Sequence, residues 1–397
     1  MTTLSKKKVA LIFLPVLFIL GVLYLFVDIE IRDQYFGIFI LKKADGFGFE
    51  IVNDIYPTEL KRKIISFDFH PLTKSFFVMK NNRNVYPRLN YIWDKRRGRG
   101  FVVNYLDEDK ILLTVLSRYK TDTDETPNGV FIGGELPETE FDRETNRMND
   151  TGMAYYDGSR WYHIWCNSNE GLASGTTMES IPITTWKFLG SEVLEATSAQ
   201  LVIKSMHSAV SDGNPLYIER FGIFLAGKPY MILVQRITNV GNNIASYYYV
   251  YGDEPWLGNY GSSIGNIGWV QDHLIKYEEE VDPKKYKYFG FYDYGNDVIG
   301  EGHNFTGMAN FIEWLYDEPD VAFIVNQENG KIEKAKKNKP LNSQLSRFIG
   351  GQWGPVYLQP KGVQVMALAV GMAFGGKEGS IPIKPTVFFN ISSFPFF

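Results

Sequence analysis

The sequence predicts an all-β chain: one large antiparallel β-sandwich with few short helices, preceded by a single N-terminal transmembrane helix. Three observations predict it. Apolar runs of period two, broken by Gly, Pro, Asn and Asp turns, dominate from residue 35 onward. Helical patterns do not recur between them, which argues against a parallel βαβ sheet. An uncharged apolar run of nineteen residues, Val9 to Val27, follows Lys6, Lys7 and Lys8.

That run comes first along the chain. At ~1.5 Å per residue it spans about 28 Å, close to the ~30 Å hydrocarbon core of a bilayer. Lysines precede it, and Asp28 and Glu30 follow it. The positive-inside rule therefore places residues 1–8 in the cytoplasm and exports residues 28–397, to the periplasm or the extracellular side. Pro15 and Gly21 are tolerated inside a membrane helix. A cleaved signal peptide is the competing reading. Cleavage needs small residues, whereas the run ends in the bulky Leu25-Phe26-Val27. The expected organisation is a basic tail (1–8), a signal anchor in the lipid bilayer (9–27) and an exported sandwich (28–397), with room for a smaller β subdomain over 28–120.

Residues 35–41, 63–69, 101–106 and 111–116 read as the first exported strands. Met153–Tyr156 and Ser159–Trp165 read as a hairpin, since Asp157-Gly158 supplies the positive φ angles of a two-residue turn. Period two then puts Trp161, His163 and Trp165 on one face. Leu216–Leu225 and Tyr230–Thr238 form a second hairpin around residues 226–229. Strands follow at 245–251, 286–292, 321–325, 353–358 and 363–374. Met308–Tyr316, stopped near Pro319, and Gln271–Glu280 are the two helical candidates.

Composition excludes several functions. A net charge of −4 lacks the clustered positive surplus that nucleic-acid phosphates require. One cysteine, Cys166, rules out an internal disulfide and a thiolate metal cage. Residues 331–339, the lysine-rich run, read as a solvated loop. No Walker A, His-Glu-x-x-His or complete Gly-x-Gly-x-x-Gly motif is present. Asp122-Thr-Asp124 begins like a calcium loop, but Pro127 and Gly133 stand where an EF-hand needs Gly and Glu. An irregular Ca²⁺ site at Asp122 and Asp124 is the one metal site left open, and no other cofactor is expected. Gly261-Ser-Ser-Ile-Gly265 matches the nucleophile-elbow pattern, with Asp293 and His303 in hydrolase order. Its neighbours suit a loop rather than a strand-to-helix turn. Sequons stand at Asn149, Asn304 and Asn390.

Two stretches carry a resemblance. One is Arg236-Ile-Thr-Asn239-Val-Gly241 followed by Ala245–Tyr251 and Gly-Asp253-Glu254-Pro. The other is Leu358-Gln-Pro360-Lys-Gly362 before Val363–Gly371. Thr-Asn-x-Gly, a strand, then Leu-x-Pro-x-Gly before a final apolar strand resembles the galactose-mutarotase-like supersandwich, over roughly residues 200–375. The resemblance implies a carbohydrate-associated fold. It implies no catalytic residue, because the family's His and Glu motifs are not recognisable here.

Side-chain chemistry points to three polar–aromatic clusters. Arg147, Asn149 and Asp150, leading into Trp161, His163 and Trp165 with Glu135, Glu138 and Glu140 upstream, form the first. Asp253, Glu254 and Trp256, followed by Asn259 and Tyr260, form the second. Asp293, Asn296, Asp297, Glu301 and His303 form the third. Sugars are gripped by aromatic faces on their C–H surfaces and by carboxylates and amides on their hydroxyls. Glu254, Asp293, Glu301 and His303 are the catalytic candidates, since epimerisation, elimination and glycosidic cleavage all need positioned acids and bases. Trp161, His163, Trp165, Asp253, Trp256 and Tyr260 are the ligand-binding candidates. The expected function is to bind or modify an envelope or extracellular carbohydrate. The alternative is a non-catalytic envelope scaffold, and the sequence names no protein partner.

Overall fold

The computed structural model describes residues 31–32, 36–43, 46–53, 87–94, 99–107, 109–116, 125–126, 152–159, 161–165, 167–173, 186–197, 199–254, 257–258, 266–295, 305–328, 331–332, 335–341 and 346–393. The span 9–27, the strand at 63–69, the calcium candidates Asp122 and Asp124, the elbow 261–265, and Trp256, Tyr260, Glu301 and His303 lie outside them.

The chain divides into two compact units, Met1–Arg83 and Asn84–Phe397. In the first, β1 (Ile31–Arg32), β2 (Phe36–Lys43) and β3 (Gly46–Asn53) form an antiparallel sheet in sequence order. The second opens with β4 (Arg88–Asp94), β5 (Arg99–Tyr105), β6 (Ile111–Leu116), β7 (Glu125–Thr126), β8 (Gly152–Tyr156), β9 (Trp161–Trp165) and β10 (Asn167–Ala173). It continues through β11 (Trp186–Ala196), β12 (Gln200–Ser211), β13 (Asn214–Leu225), β14 (Tyr230–Asn239), β15 (Ala245–Glu254), β16 (Asn266–Val270) and β17 (Leu274–Ile275). It ends with β18 (Glu279–Val281), β19 (Tyr288–Asp293), β20 (Met308–Tyr316), β21 (Val321–Glu328), β22 (Lys331–Ile332), β23 (Ser346–Leu358) and β24 (Val363–Phe374).

These strands build three antiparallel sheets. One runs β4-β5-β6-β8-β9, another β10-β15-β23-β21-β18, and the largest β17-β16-β19-β20-β24-β14-β13-β12-β11-β7. Residues 88–116 belong to the second unit because β6 pairs with β8.

The core explains the order. Ile218, Leu233, Phe291, Ile312 and Leu368 on one face of the large sheet meet Tyr249, Ile324, Ile349 and Trp353 of the facing sheet. The other face of the large sheet, with Ile223, Ile232, Trp269, Phe311 and Ala369, takes Ile381, Val387 and Phe389 from the C-terminal segment. Central strands are thus buried on both sides and read as nearly continuous apolar runs.

Two helix expectations are corrected, the first by that double burial. Met308–Tyr316 is β20, a central strand between β19 and β24. Its apolar residues on both faces imitate a helix over nine positions. Residues 271–280 hold β17 and the start of β18 instead of a helix. Among the described residues, the helix content is one 3-10 turn, Ile391–Ser393.

The hairpin at 153–165 forms, with a different connection. Tyr156 pairs with Trp161, so the connection is longer than a two-residue turn. Asp157 Oδ1 accepts from Ser159 N and Oγ at 2.8 and 2.7 Å, and Gly158 takes φ +99°. The side chain closes the turn locally, so the loop widens.

The two motifs of the resemblance dock on each other. Asn239 Nδ2 donates to Asn243 O at 2.7 Å and to Leu358 O at 2.8 Å, while its Oδ1 accepts from Gly241 N at 2.9 Å. Its backbone closes the same junction, N to Gly362 O and O from Lys361 N. One buried asparagine therefore ties the β14–β15 turn to the β23–β24 turn.

Candidate functional site

One end of the sandwich gathers polar groups at strand termini. Asn266, the first residue of β16, is the register partner of Asp293, the last residue of β19. Asp293 is fully buried. The Thr306 hydroxyl donates to its Oδ2, and the backbone N–H groups of Gly295 and Thr306 also reach the carboxyl. Gly258, at φ +93°, lies against it; a Cβ there would collide with Oδ2. The carboxyl therefore needs a glycine at this position, both for the backbone angle and for space.

Burial pushes the Asp293 carboxyl from 3.8 up to about 7. The bonds from Thr306 and Gly295 and the charge of Arg347 pull in the other direction without overcoming it. The group is thus shared between its protonated and ionised forms near neutral pH.

A polar path leads away from Asp293 across the two sheets. Leu257 N donates to Asn266 Oδ1 at 3.0 Å. Arg347, 1% exposed on β23, donates from Nη1 to Asn266 O at 2.9 Å, and its guanidinium carbon lies 5.9 Å from the Phe291 ring centroid. Its register partner on β21 is Asn326. Asn326 Nδ2 donates to Glu278 Oε1 at 2.8 Å and to Pro340 O at 2.9 Å. Glu278 also accepts from Lys336 N at 2.8 Å and pairs with Lys339 Nζ at 3.3 Å. The lysine-rich run is therefore pinned at Lys336 and Lys339 to a buried carboxylate.

Several sequence candidates come to this end at backbone level. Asp253 and Glu254 close β15; Asp253 pairs with Ile349, two positions along β23 from Arg347. Glu254 pairs with Asn167, which opens β10. The end of β9 arrives through Asn310, whose Nδ2 donates to Ile164 O at 3.0 Å and whose Oδ1 accepts from Phe291 N at 2.7 Å. Asp293 is the catalytic candidate whose side chain is described.

The expectation of one face for Trp161, His163 and Trp165 is corrected by a bulge. Met153 pairs with Trp165 and Ala154 with His163, so Ile164 is an extra residue and the alternation breaks before Trp165. Ile164 and Trp165 are both buried, and the Trp165 indole donates to Gly371 O at 3.1 Å. That tryptophan belongs to the core.

Asn266, Thr306, Gly258, Asn310 and Arg347 were not anticipated. One signal was present: Arg347 interrupts the apolar strand Ser346-Arg-Phe-Ile-Gly-Gly at an inward position. A charge there implies a buried partner. Among the described residues, no group of His, Cys, Asp and Glu is arranged to hold a metal ion.

No protein-family model and no curated protein matches the sequence. Solved structures do match the fold. Galactose 1-epimerase from Lactobacillus acidophilus is 8% identical, with 73% of this chain and 100% of that one covered, at a TM-score of 0.34. A galactose mutarotase-like protein from Clostridium acetobutylicum is 8% identical, with 74% and 100% covered, also at 0.34. An α-galactosidase from Geobacillus stearothermophilus is 8% identical, with 73% and 41% covered, at 0.36. The mutarotase-like resemblance of the sequence is thus met by matches of that kind. At these scores they carry no functional argument.

Proposed function

We propose that this chain is a membrane-tethered, exported β-sandwich protein that binds or modifies a carbohydrate of the envelope or extracellular space. The site is the sandwich end where β15, β16, β19 and β23 bring their termini together. The observation that carries this reading is Asp293, a buried carboxyl held near 7 at the head of a polar path. Such a group gives its proton to a sugar oxygen as a bond to that oxygen weakens, and recovers it from the hydroxyl or water that completes the step. Asp253 and Glu254 end β15, which pairs with β23, the strand that carries Arg347. The tether is the apolar run 9–27, read from sequence; among the described residues no helix is long and apolar enough to cross a membrane.

The test is a thermal-shift screen of the full-length protein in non-ionic detergent against monosaccharides and glycan fragments. A bound sugar raises the melting temperature by mass action. The rise should appear with at least one glycan and shrink in Asp293→Asn. No shift with any glycan at millimolar concentration contradicts the reading.

A second reading, a non-catalytic scaffold, is favoured by one observation at the opposite end. Val210, Val240, Ile244, Tyr357 and Val363 are exposed in or beside three turns joined by Asn214 and Asn239. The scaffold reading expects serine substitutions at Val240 and Tyr357 to alter self-association while any glycan response is unchanged.

A further inference from the structure

Arg347 is buried, yet no step of the chemistry above uses it. Arginine stays ionised inside proteins, so β23 fixes a permanent positive charge within the sandwich. Isolated buried charges are costly, and a fold keeps them where an opposite charge or strong hydrogen bonds compensate. The geometry of Arg347 shows where this one is aimed. Its side chain crosses from its own sheet to the facing one and donates to Asn266 O at 2.9 Å. Asn266 is the register partner of Asp293. The guanidinium also lies beside Phe291, two residues before Asp293 and therefore on the same face of β19. Both contacts set it under the same two strand ends that present the Asp293 carboxyl.

We infer that Arg347 is a positioning residue for the Asp293 proton: a fixed cation that steadies the carboxylate each time it forms. This deepens the proposed function and rests on it for the word proton donor, though not for the coupling itself. Once buried Asp293 has given up its proton, it carries a negative charge that burial disfavours. A cation already in place lowers that penalty without any rearrangement. Arg347 lowers the proton affinity of Asp293 in the same sense. Among the described residues, Tyr292 is also coupled to Asp293; it faces the opposite side of the sheet and donates to Lys377 O at 3.0 Å. Thr306, Gly295, Gly258 and Asn266, the other described residues named beside it, are uncharged.

The test is nuclear magnetic resonance on the full-length protein in detergent, with ¹³C-labelled aspartate carboxyls and ¹⁵N-labelled arginine side chains. Asp293→Asn assigns the Asp293 signal. Arg347→Met should move the Asp293 midpoint up by about one pH unit or more, a tenfold change in its acid constant, and Arg347→Lys should recover much of it. In the wild-type protein the Arg347 side-chain signals should titrate with the same midpoint and be flat in Asp293→Asn. That second measurement needs no arginine variant and stands if Arg347→Met does not fold. An unmoved midpoint in folded Arg347→Met, or Arg347 signals that ignore the Asp293 titration, overturns the inference. The glycan screen separates the two ideas. Coupling without any glycan response removes the carbohydrate reading and leaves Arg347 in its role; glycan response without coupling does the reverse.

Discussion

Replacing Asp293 by Asn should make stability lose a pH dependence that the wild-type protein has. The folded carboxyl titrates at about 7, against 3.8 for the ordinary group. Between those two values the unfolded chain has released the proton and the folded chain still holds it. The unfolded state then binds fewer protons, so wild-type stability falls as pH rises from about 4 to about 7 and levels off above. The gap is about three pH units, which at ~1.36 kcal/mol per unit is about 4 kcal/mol. Asn is neutral throughout and shows none of this fall. In acid the two proteins should be close in stability, because the Asn oxygen can take the place of Oδ2 and accept from the Thr306 hydroxyl. The two stability curves should therefore lie close near pH 4 and separate as pH rises, with Asn the more stable near pH 8. Urea midpoints of both full-length proteins in detergent at pH 4, 5.5, 7 and 8 read this directly. Parallel curves would show that Asp293 is ionised throughout the range, and the account of the site would fail with them.

Three further outcomes follow from other contacts. Gly258→Ala places a Cβ against Asp293 Oδ2 at a backbone angle that disfavours side chains; it should cost about 2–4 kcal/mol in urea unfolding and lower the Asp293 midpoint as water enters. Asn239→Ala removes the bonds to Asn243, Leu358 and Gly241; the buried groups left behind should cost about 3 kcal/mol, and a loss under 0.5 would show that the two turns hold without it. Lys384 pairs with the half-buried Glu313 at 2.8 Å, where burial raises the Glu313 carboxyl despite the lysine. Lys384→Met alone should destabilise by about 2–3 kcal/mol at neutral pH, and Lys384→Met with Glu313→Gln should recover most of the loss, since the harm is the unpaired charge.

Much of the sandwich was legible because strand pattern and turn chemistry are local. The hairpin Leu216–Thr238 is encoded by alternation on both sides of Ala226-Gly-Lys-Pro229, and it forms with that register. Thr-Asn239-x-Gly and Leu358-x-Pro-x-Gly are turn sequences whose partnership is not local, yet their residues sufficed to suggest the fold. Met308–Tyr316 misled because a strand covered on both faces has no alternation left to read. The bulge at Ile164 misled for a related reason: one extra residue shifts every later side chain by half a period, and no residue type announces it. Asp293 was singled out as an acid among turn-forming neighbours. Its consequence was not legible, because its proton affinity is set by Gly258, Thr306 and Arg347, which come from 35 residues before it to 54 after it. Only pairing β16 with β19, and crossing from β23, brings them to one carboxyl.

Asp293, as we propose it, carries a proton at a carbohydrate site. Calorimetry of glycan binding to the full-length protein, repeated at pH 7 in buffers of different ionisation enthalpy, tests this. The apparent binding enthalpy should vary linearly with the buffer enthalpy. A fraction of a proton should be exchanged per glycan in the wild-type protein and none in Asp293→Asn. Glycan binding with the same enthalpy in every buffer, or no binding of any glycan at millimolar concentration, would contradict it.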